Sequence, residues 1–307
     1  MIVVAIPALL LAALSVAAFL GAWVWWLDLV ANLRVQLALL LGVLGLLLVL
    51  ARWRRTGWTV LVATALNAAL VLPLFLGRPA PPPEGTPALR VVSYNVLSDN
   101  DRFGEVIDFL RATEADVVFL HEVSRPWEEA ILDAGLPYIV DTVRGGDLIF
   151  GTLVLTQPGA EVTGFGFTRD QPRAVEVRLL LEGRPVALLS SHPLAPTTEV
   201  RSLYRDAQIR FAAEWAVSQE VPAIVAGDMN ATQWSHAFGR LASIGGLRDS
   251  SRGFGPQPSF PTSLPRLLRV PIDHLVHSDE WVVVDRRLGA DLGSDHLPLI
   301  VDLVLPS

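Results

Sequence analysis

The 307-residue chain has no cysteine and no lysine. The first absence removes disulfides, thiolate metal sites and cysteine nucleophiles from consideration. The second leaves arginine to supply all 24 basic side chains, against 31 acidic ones. Charge of either sign is also missing from three long stretches. Residues 1–27 have none, Asp28 being the first, and residues 35–51 and 56–77 have none over 17 and 22 positions. The mean hydropathy of +0.44 is therefore concentrated at one end of the chain.

Uncharged runs of this length match the roughly 20 residues that cross a bilayer. They predict three membrane helices at about 2–27, 35–51 and 57–77, which makes the lipid bilayer a partner of residues 1–77. A cleaved signal peptide competes for the first run, but that run lacks a basic start and is long for such a segment. Trp23, Trp25, Trp26, Trp53 and Trp58 lie at the ends of the runs, as interfacial aromatics do. Arg52, Arg54 and Arg55 crowd the loop between the second and third predicted helices, which places that loop in the cytoplasm. Arg34, Arg78 and Arg90 level the count on the other side, so local density decides. The expectation is an integral membrane protein whose residues beyond 77 are extracytoplasmic.

Residues 1–77 hold four arginines and one acidic residue, and the remainder holds 20 basic and 30 acidic residues, a balance of −10. Duplex DNA is usually held by clustered Lys and Arg, so this part is a poor electrostatic match for it. Residues 78–88 are rich in proline and form a linker, expected to be extended and to hold a domain off the bilayer. Residues 89–307 then have a globular pattern suited to one domain.

That domain reads as α/β. Residues 89–96 and 117–122 are apolar runs with polar ends, and strand-like runs follow at 147–156, 161–167, 174–182 and 185–191. Residues 198–218 and 234–243 are predicted helices, Ser124 is placed to cap a helix opening with Pro126, and three strands close the chain near 272–277, 281–287 and 298–304. Strands joined partly by helices and partly by hairpins suggest mixed or paired sheets with outer helices.

Six apolar runs carry the same polar punctuation: Ser93-Tyr94-Asn95, His121-Glu122, Ser190-Ser191-His192, Gly227-Asp228-Met229-Asn230, Ile272-Asp273-His274 and Ser294-Asp295-His296. Each alone is ordinary; Asn95 and Asn230 could be turn residues, and Asp228 a helix cap. Together they supply carboxylates, amides and imidazoles at strand ends, where α/β proteins build sites. Carboxylate and amide oxygens suit a hard ion such as Mg²⁺ or Mn²⁺, which can activate water and stabilise phosphoryl charge.

In this order the motifs, ending in Ser294-Asp295-His296-Leu297-Pro298, resemble the series of the endonuclease/exonuclease/phosphatase superfamily, with its DNase I-like fold. The resemblance spans 89–307. It implies a four-layer α/β sandwich, two packed mixed β-sheets flanked by helices, and metal-dependent hydrolysis of a phosphoester substrate. By position, Glu122 would be the main metal ligand, with Asn95 beside it and Asp295 near the ion. Asp228 would orient or deprotonate the attacking water, Asn230 would hold the phosphate, and His192 would donate to a non-bridging oxygen. His296 would contact the phosphate, its imidazole fixed by Asp273. The family's central Tyr or Arg that supports the phosphate has no clear counterpart, Arg173 being the candidate. His121 stands where relatives carry Gln and should face away from Glu122 on the strand. The competing class is a catalytically inactive, membrane-tethered binding module, which would predict damage to the motifs; the core positions are all present. A transport role is disfavoured, because the uncharged helices offer no ion path.

Overall fold

A computed structural model describes residues 2–78, 86–144, 151–166 and 174–306. Four helices open the chain: α1 (Ile2–Ala17), α2 (Trp25–Ala31), α3 (Arg34–Leu50) and α4 (Arg54–Val71). Alanines 5, 8 and 12 of α1 are buried against Leu37, Leu41, Val60 and Ala63. The α3–α4 hairpin is closer still, since a Cβ on Gly57 would lie 2.8 Å from the Gly45 carbonyl oxygen. Small residues at the contact let apolar helices approach where apolar surroundings give no hydrophobic drive.

The predicted first helix, 2–27, is not continuous. α1 ends at Ala17 and a 3-10 turn continues it to Leu20. Past residues 21–24 the chain resumes as α2, which meets α3 at a bend of 70°. Asp28 is the reason available in the sequence: its carboxylate leaves the apolar bundle for a cationic partner described below. Two segments, Ile2–Leu20 and Arg54–Phe75, are long and apolar enough to cross a membrane, and the bent α2–α3 pair would make a third.

The α/β part begins with β1 (Ala88–Asn95), α5 (Phe103–Thr113), β2 (Val117–Val123), α6 (Arg125–Asp133), β3 (Ile139–Arg144) and β4 (Gly151–Thr156). It continues with β5 (Glu161–Phe165), β6 (Ala174–Leu181), β7 (Arg184–Ser190), α7 (Glu199–Val217), β8 (Ala223–Asp228) and α8 (Gly239–Ser243). The last elements are β9 (Arg248–Asp249), β10 (Asp273–His277), β11 (Val282–Leu288) and β12 (Leu299–Val304). One sheet has the order β11-β12-β1-β2-β4-β3 and the other β5-β6-β7-β8-β10-β9.

Alternation of apolar residues along the strands builds three cores. Val91, Phe119, Leu188, Ile224 and Val301 meet between the sheets. Val92, Val118 and Leu120 face Val106, Leu110 and Trp127 of α5 and α6. Leu189 and Val225 face Ile209, Ala212 and Leu241 of α7 and α8. The result is a helix–sheet–sheet–helix stack, the architecture implied by the motif series. Ser124 precedes α6 but does not cap it; its hydroxyl donates to Ser98 O instead.

Among the described residues, each sheet contains one parallel pair, β1–β2 and β7–β8, and every other pairing is antiparallel. Each parallel pair is joined by a helix, α5 or α7, on the outer face. Parallel strands deliver their C-terminal ends to the same edge. Antiparallel β10 and β12 then bring their starts to it, with Asp273 opposite Asp228 and Leu299 opposite Ser93. Six polar strand ends therefore converge by topology.

The bundle is not held apart from this domain. Asp28 Oδ2 accepts from Arg205 Nη2 and Ser235 Oγ, both at 2.7 Å, and its Oδ1 accepts from His236 N at 2.6 Å. Asn32 Oδ1 accepts from the amide and hydroxyl of Thr232, each at 2.9 Å. Gly253 N and Gly255 N donate to Leu74 O. The expectation that the proline segment stands the domain off is thus corrected: the domain packs on the helix ends through hydrogen bonds that need direct contact. Residues 79–85 lie outside the described residues.

Candidate active site

Asn95 and Glu122 end the parallel strands of the first sheet. The Asn95 amide nitrogen lies 2.9 Å from Glu122 Oε1 and 3.2 Å from Asp228 Oδ2 at the end of β8. Glu122 has φ +56, and the β2–β4 register shifts between Leu120 and Val123. This bulge aims the carboxylate at the second sheet, and left-handed backbone at a non-glycine residue is a strain found at functional sites. Asn230 shares the feature, with φ +47. Its amide donates to Asp228 Oδ1 at 2.9 Å, and its side chain donates to Pro193 O at 3.0 Å.

Within the second sheet, neighbouring strands β7 and β8 come unusually close at their C-terminal ends because of Gly227. A Cβ at this position, with φ +151, would fall 1.9 Å from Ser191 O. Only glycine lets β8 run so close to the chain leaving β7. That approach sets His192 Nε2 3.6 Å from Asp228 Oδ2 and 3.8 Å from Glu122 Oε1.

From the other side His296 Nε2 lies 3.6 Å from the same Asp228 oxygen, while its Nδ1 is bonded to Asp273 Oδ2 at 2.8 Å. Ser259 Oγ also donates to Asp273 Oδ2, at 2.5 Å. Phe260 packs its ring 4.7 Å from the His296 ring, and the His296 amide donates to Ser294 Oγ, which itself donates to Asn95 O. Neither Ser259 nor Phe260 was singled out in the sequence, because both sit in a Pro/Gly-rich loop with no periodicity.

Burial shapes the charges. It raises the Asp228 carboxyl above its ordinary range, against the pull of His296. Burial also opposes charge on His296, but Asp273 and then Asp228 overcome it and push the imidazole up to about 10. His296 is held as an imidazolium at neutral pH, and Asp273 is held ionised mainly by that charge against its own burial. His121 does not face away from Glu122 as strand alternation predicts. The bulge at Glu122 breaks the alternation, so both side chains approach His192, the His121 ring 5.3 Å from that of His192. Burial holds His121 neutral. His274 points to the outer layer, where it meets Phe238 and Ala231 O, and burial lowers it to about 4.

Of the residues picked out by sequence, Asn95, Glu122, His192, Asp228, Asn230, Asp273 and His296 are brought together. Asp295 is half-buried beside them, and among the described residues its carboxylate has no hydrogen bond. Arg173 lies outside the described residues.

Two donor sets could hold a cation. Asp228, Asp273 and His296 have ligand atoms within 4.8 Å of one another, but an imidazolium whose Nδ1 is committed to Asp273 is a poor ligand. The carboxylate oxygens of Glu122 and Asp228 fit a hard divalent ion better, and Glu122 is the one of the two with access to solvent. Asn95 beside them turns its amide nitrogen to both, its Oδ1 accepting from Leu97 N. A cavity of about 900 Å³ lies elsewhere, between Leu70 and Leu74 at the end of α4 and Phe238, His277 and Trp281 of the domain.

This fold and this clustering have relatives. The profile described as "Endonuclease/Exonuclease/phosphatase family" matches residues 92–296, and the chain belongs to that family. Among solved structures it is similar to an endonuclease/exonuclease/phosphatase from Bacteroides vulgatus, with 17% identity, TM-score 0.59, and coverage of 71% of this chain and 99% of that one. D. rerio TDP2, in a humanized form, has 18% identity and TM-score 0.59, covering 71% and 99%. The mannosyl-6-phosphatase of Bacteroides thetaiotaomicron has 17% identity and TM-score 0.53, covering 70% and 99%. At these identities the likeness concerns the fold. No curated protein matches the chain.

Proposed function

We propose that the chain is a membrane-anchored phosphoester hydrolase, with residues 1–77 as three membrane-spanning segments and residues 89–307 as the catalytic domain. The observation that carries the hydrolytic reading is the placement of His192 and His296 on either side of Asp228, each 3.6 Å from it, with Asn95 and Glu122 adjacent. Asp228, its basicity raised by burial, orients and deprotonates the attacking water. His192 donates to a non-bridging phosphate oxygen and Asn230 holds the phosphate. The imidazolium of His296, fixed by Asp273, faces the developing negative charge from the opposite side. Glu122 and Asn95, with Asp295 near, would hold Mg²⁺ or Mn²⁺, which supplies charge neutralisation at the phosphoryl group.

Among the described residues, the domain is hydrogen-bonded to one end of the bundle, through Asp28, Asn32, Gln36, Leu70 and Leu74, whereas Arg52, Arg54 and Arg55 sit at the other. This supports a cytoplasmic arginine loop and an extracytoplasmic domain. The test is hydrolysis of bis(p-nitrophenyl) phosphate and p-nitrophenyl phosphate by the purified full chain with Mg²⁺, with Mn²⁺ and with EDTA. Turnover that needs a divalent ion is expected, and turnover by neither ester would refute the reading. A periplasmic-type reporter fused after Ser307 that is active only in the cytoplasm would reverse the topology.

A further inference from the structure

Two exposed apolar groups flank the catalytic rim, and both are fixed to the end of the helical bundle. In the loop before β10, Leu264, Leu267 and Leu268 are 40%, 67% and 53% exposed. In the first turns of α7, Val200, Leu203 and Tyr204 are exposed in the same way. Single exposed apolar side chains are ordinary, but groups of them mark interaction surfaces.

The level of the loop is set by α3. Gln36, in its first turn, donates through Nε2 to Leu267 O at 3.1 Å and Arg269 O at 2.8 Å. Leu39, Leu40 and Val43 of the same helix are exposed and apolar, and at 1.5 Å per residue Leu39 is only about 4–5 Å further along the axis. The loop thus hangs within one turn of the point where the apolar surface of the bundle begins. Its other end is in the site, where Phe260 packs on His296 and Thr262 donates to the carbonyls of Asp295 and Ser294. The α7 group is tied down by the neighbouring Arg205, clamped on Asp28.

Charge points to the same occupant. Residues 78–307 carry a net −10, yet a cavity of about 330 Å³ beside the loop is lined by Arg266, Arg269 and Arg287. Arg269 is bonded to the carbonyls of Thr262 and Leu264, and Arg287 is paired with Asp285 and Asp302. Arg266 has no side-chain partner among the described residues, and it sits between the exposed leucines.

We propose that the 262–269 loop lies in the headgroup region of the bilayer and that the catalytic mouth opens onto the leaflet, so that the substrate is a membrane lipid with a phosphoester headgroup. This rests on the reading of residues 1–77 as membrane-spanning and of the rim as a phosphoesterase site. Leu264, Leu267 and Leu268 would sit at the acyl boundary with Arg266 among the lipid phosphates.

Because the chain has no cysteine, single-cysteine labels report unambiguously. Full-length Leu267→Cys, Leu40→Cys and Leu132→Cys, labelled with an environment-sensitive NBD dye, are placed in nanodiscs of phosphatidylcholine, phosphatidylglycerol and phosphatidic acid. Leu40 is on the exposed face of α3 and Leu132 on α6, in the layer away from the bundle. The labels at Leu40 and Leu267 should be blue-shifted and quenched by nitroxide lipids, the latter most by shallow nitroxides, and the label at Leu132 should behave as in water. A water-like label at Leu267 with a buried one at Leu40 overturns the inference and spares the anchor. A water-like label at Leu40 removes the anchor itself. In the same discs, Leu267→Glu/Leu268→Glu should cut lipid hydrolysis, read by mass spectrometry, about tenfold or more, with bis(p-nitrophenyl) phosphate turnover unchanged within about twofold. Turnover of that soluble ester with none of the three lipids hydrolysed, or an equal loss on both, overturns the lipid assignment while leaving the phosphoesterase reading intact.

Discussion

Two buried acid–base pairs join distant parts of this chain, and they are built to opposite specifications. At the bundle–domain junction Arg205 and Asp28 have side chains 1% and 3% exposed. Every oxygen of Asp28 has a donor, and Arg205 also bonds Asp206 and, at 3.5 Å, Asn230 O. At the rim, His296 and Asp273 are as deeply buried, but the surroundings are left incomplete. Asp273 Oδ1 is buried without a partner among the described residues, and Asp228 faces two imidazoles at 3.6 Å without a close bond to either. A completed pair holds two parts of a molecule in place; an incomplete one keeps capacity for a substrate.

The comparison can be broken first at the rim. Glu122→Ala and His296→Ala should each lower turnover of bis(p-nitrophenyl) phosphate by roughly 10³-fold or more. Loss of the half-buried Glu122 should change thermal unfolding little, and loss of His296 should cost some stability, because Asp273 loses its buried partner. Full activity in both would refute the catalytic assignment. Asp273→Asn removes the strongest influence raising His296. The imidazolium is lost as pH rises through its pKa, so wild-type activity should hold through neutral pH and fall near 10. The variant's fall should come roughly one unit or more lower, and an unmoved pH–rate profile would separate Asp273 from His296.

At the junction the effect should appear as stability. Asp28→Ala leaves the buried Arg205 guanidinium with Asp206 as its remaining carboxylate and takes the acceptor from Ser235 Oγ and His236 N. It should cost about 3 kcal/mol, seen as a lower unfolding temperature in detergent. Activity should fall with it, because Arg205 also meets the Asn230 carbonyl. If stability is unchanged, the pair is not a clamp. The smallest effect sharpens the contrast: Arg210→Ala breaks a pair with Glu214 in which both side chains are more than half exposed. It should shift stability by no more than about 0.5 kcal/mol.

Much of the architecture was legible because it is periodic. Apolar alternation marks the strands, and the closing strands expected near 272–277, 281–287 and 298–304 are observed as β10, β11 and β12. The polar ends of those runs were legible for a related reason, since nothing in a buried strand requires Asn95, Glu122 or Asp228. The helix expected at 234–243 is shorter, Gly239–Ser243, because Gln233–His236 is occupied in docking Asp28 and Leu70. Ser259 and Phe260 carried no local signal at all; they matter only because their loop folds over His296.

The amino-acid sequence by itself determined that an uncharged N-terminal region precedes an acidic α/β domain, and that carboxylates, amides and imidazoles close its strands. These are properties of composition and spacing, which act locally. Only the tertiary structure decided that β1–β2 and β7–β8 are the parallel pairs, so that residues up to 201 positions apart in the chain, Asn95 and His296, share one rim. It also decided that Asp28, an isolated charge in an apolar region, serves as the partner of Arg205. Both outcomes depend on the burial of charge: a buried carboxylate is stable only beside its donor, and the fold determines where that donor lies.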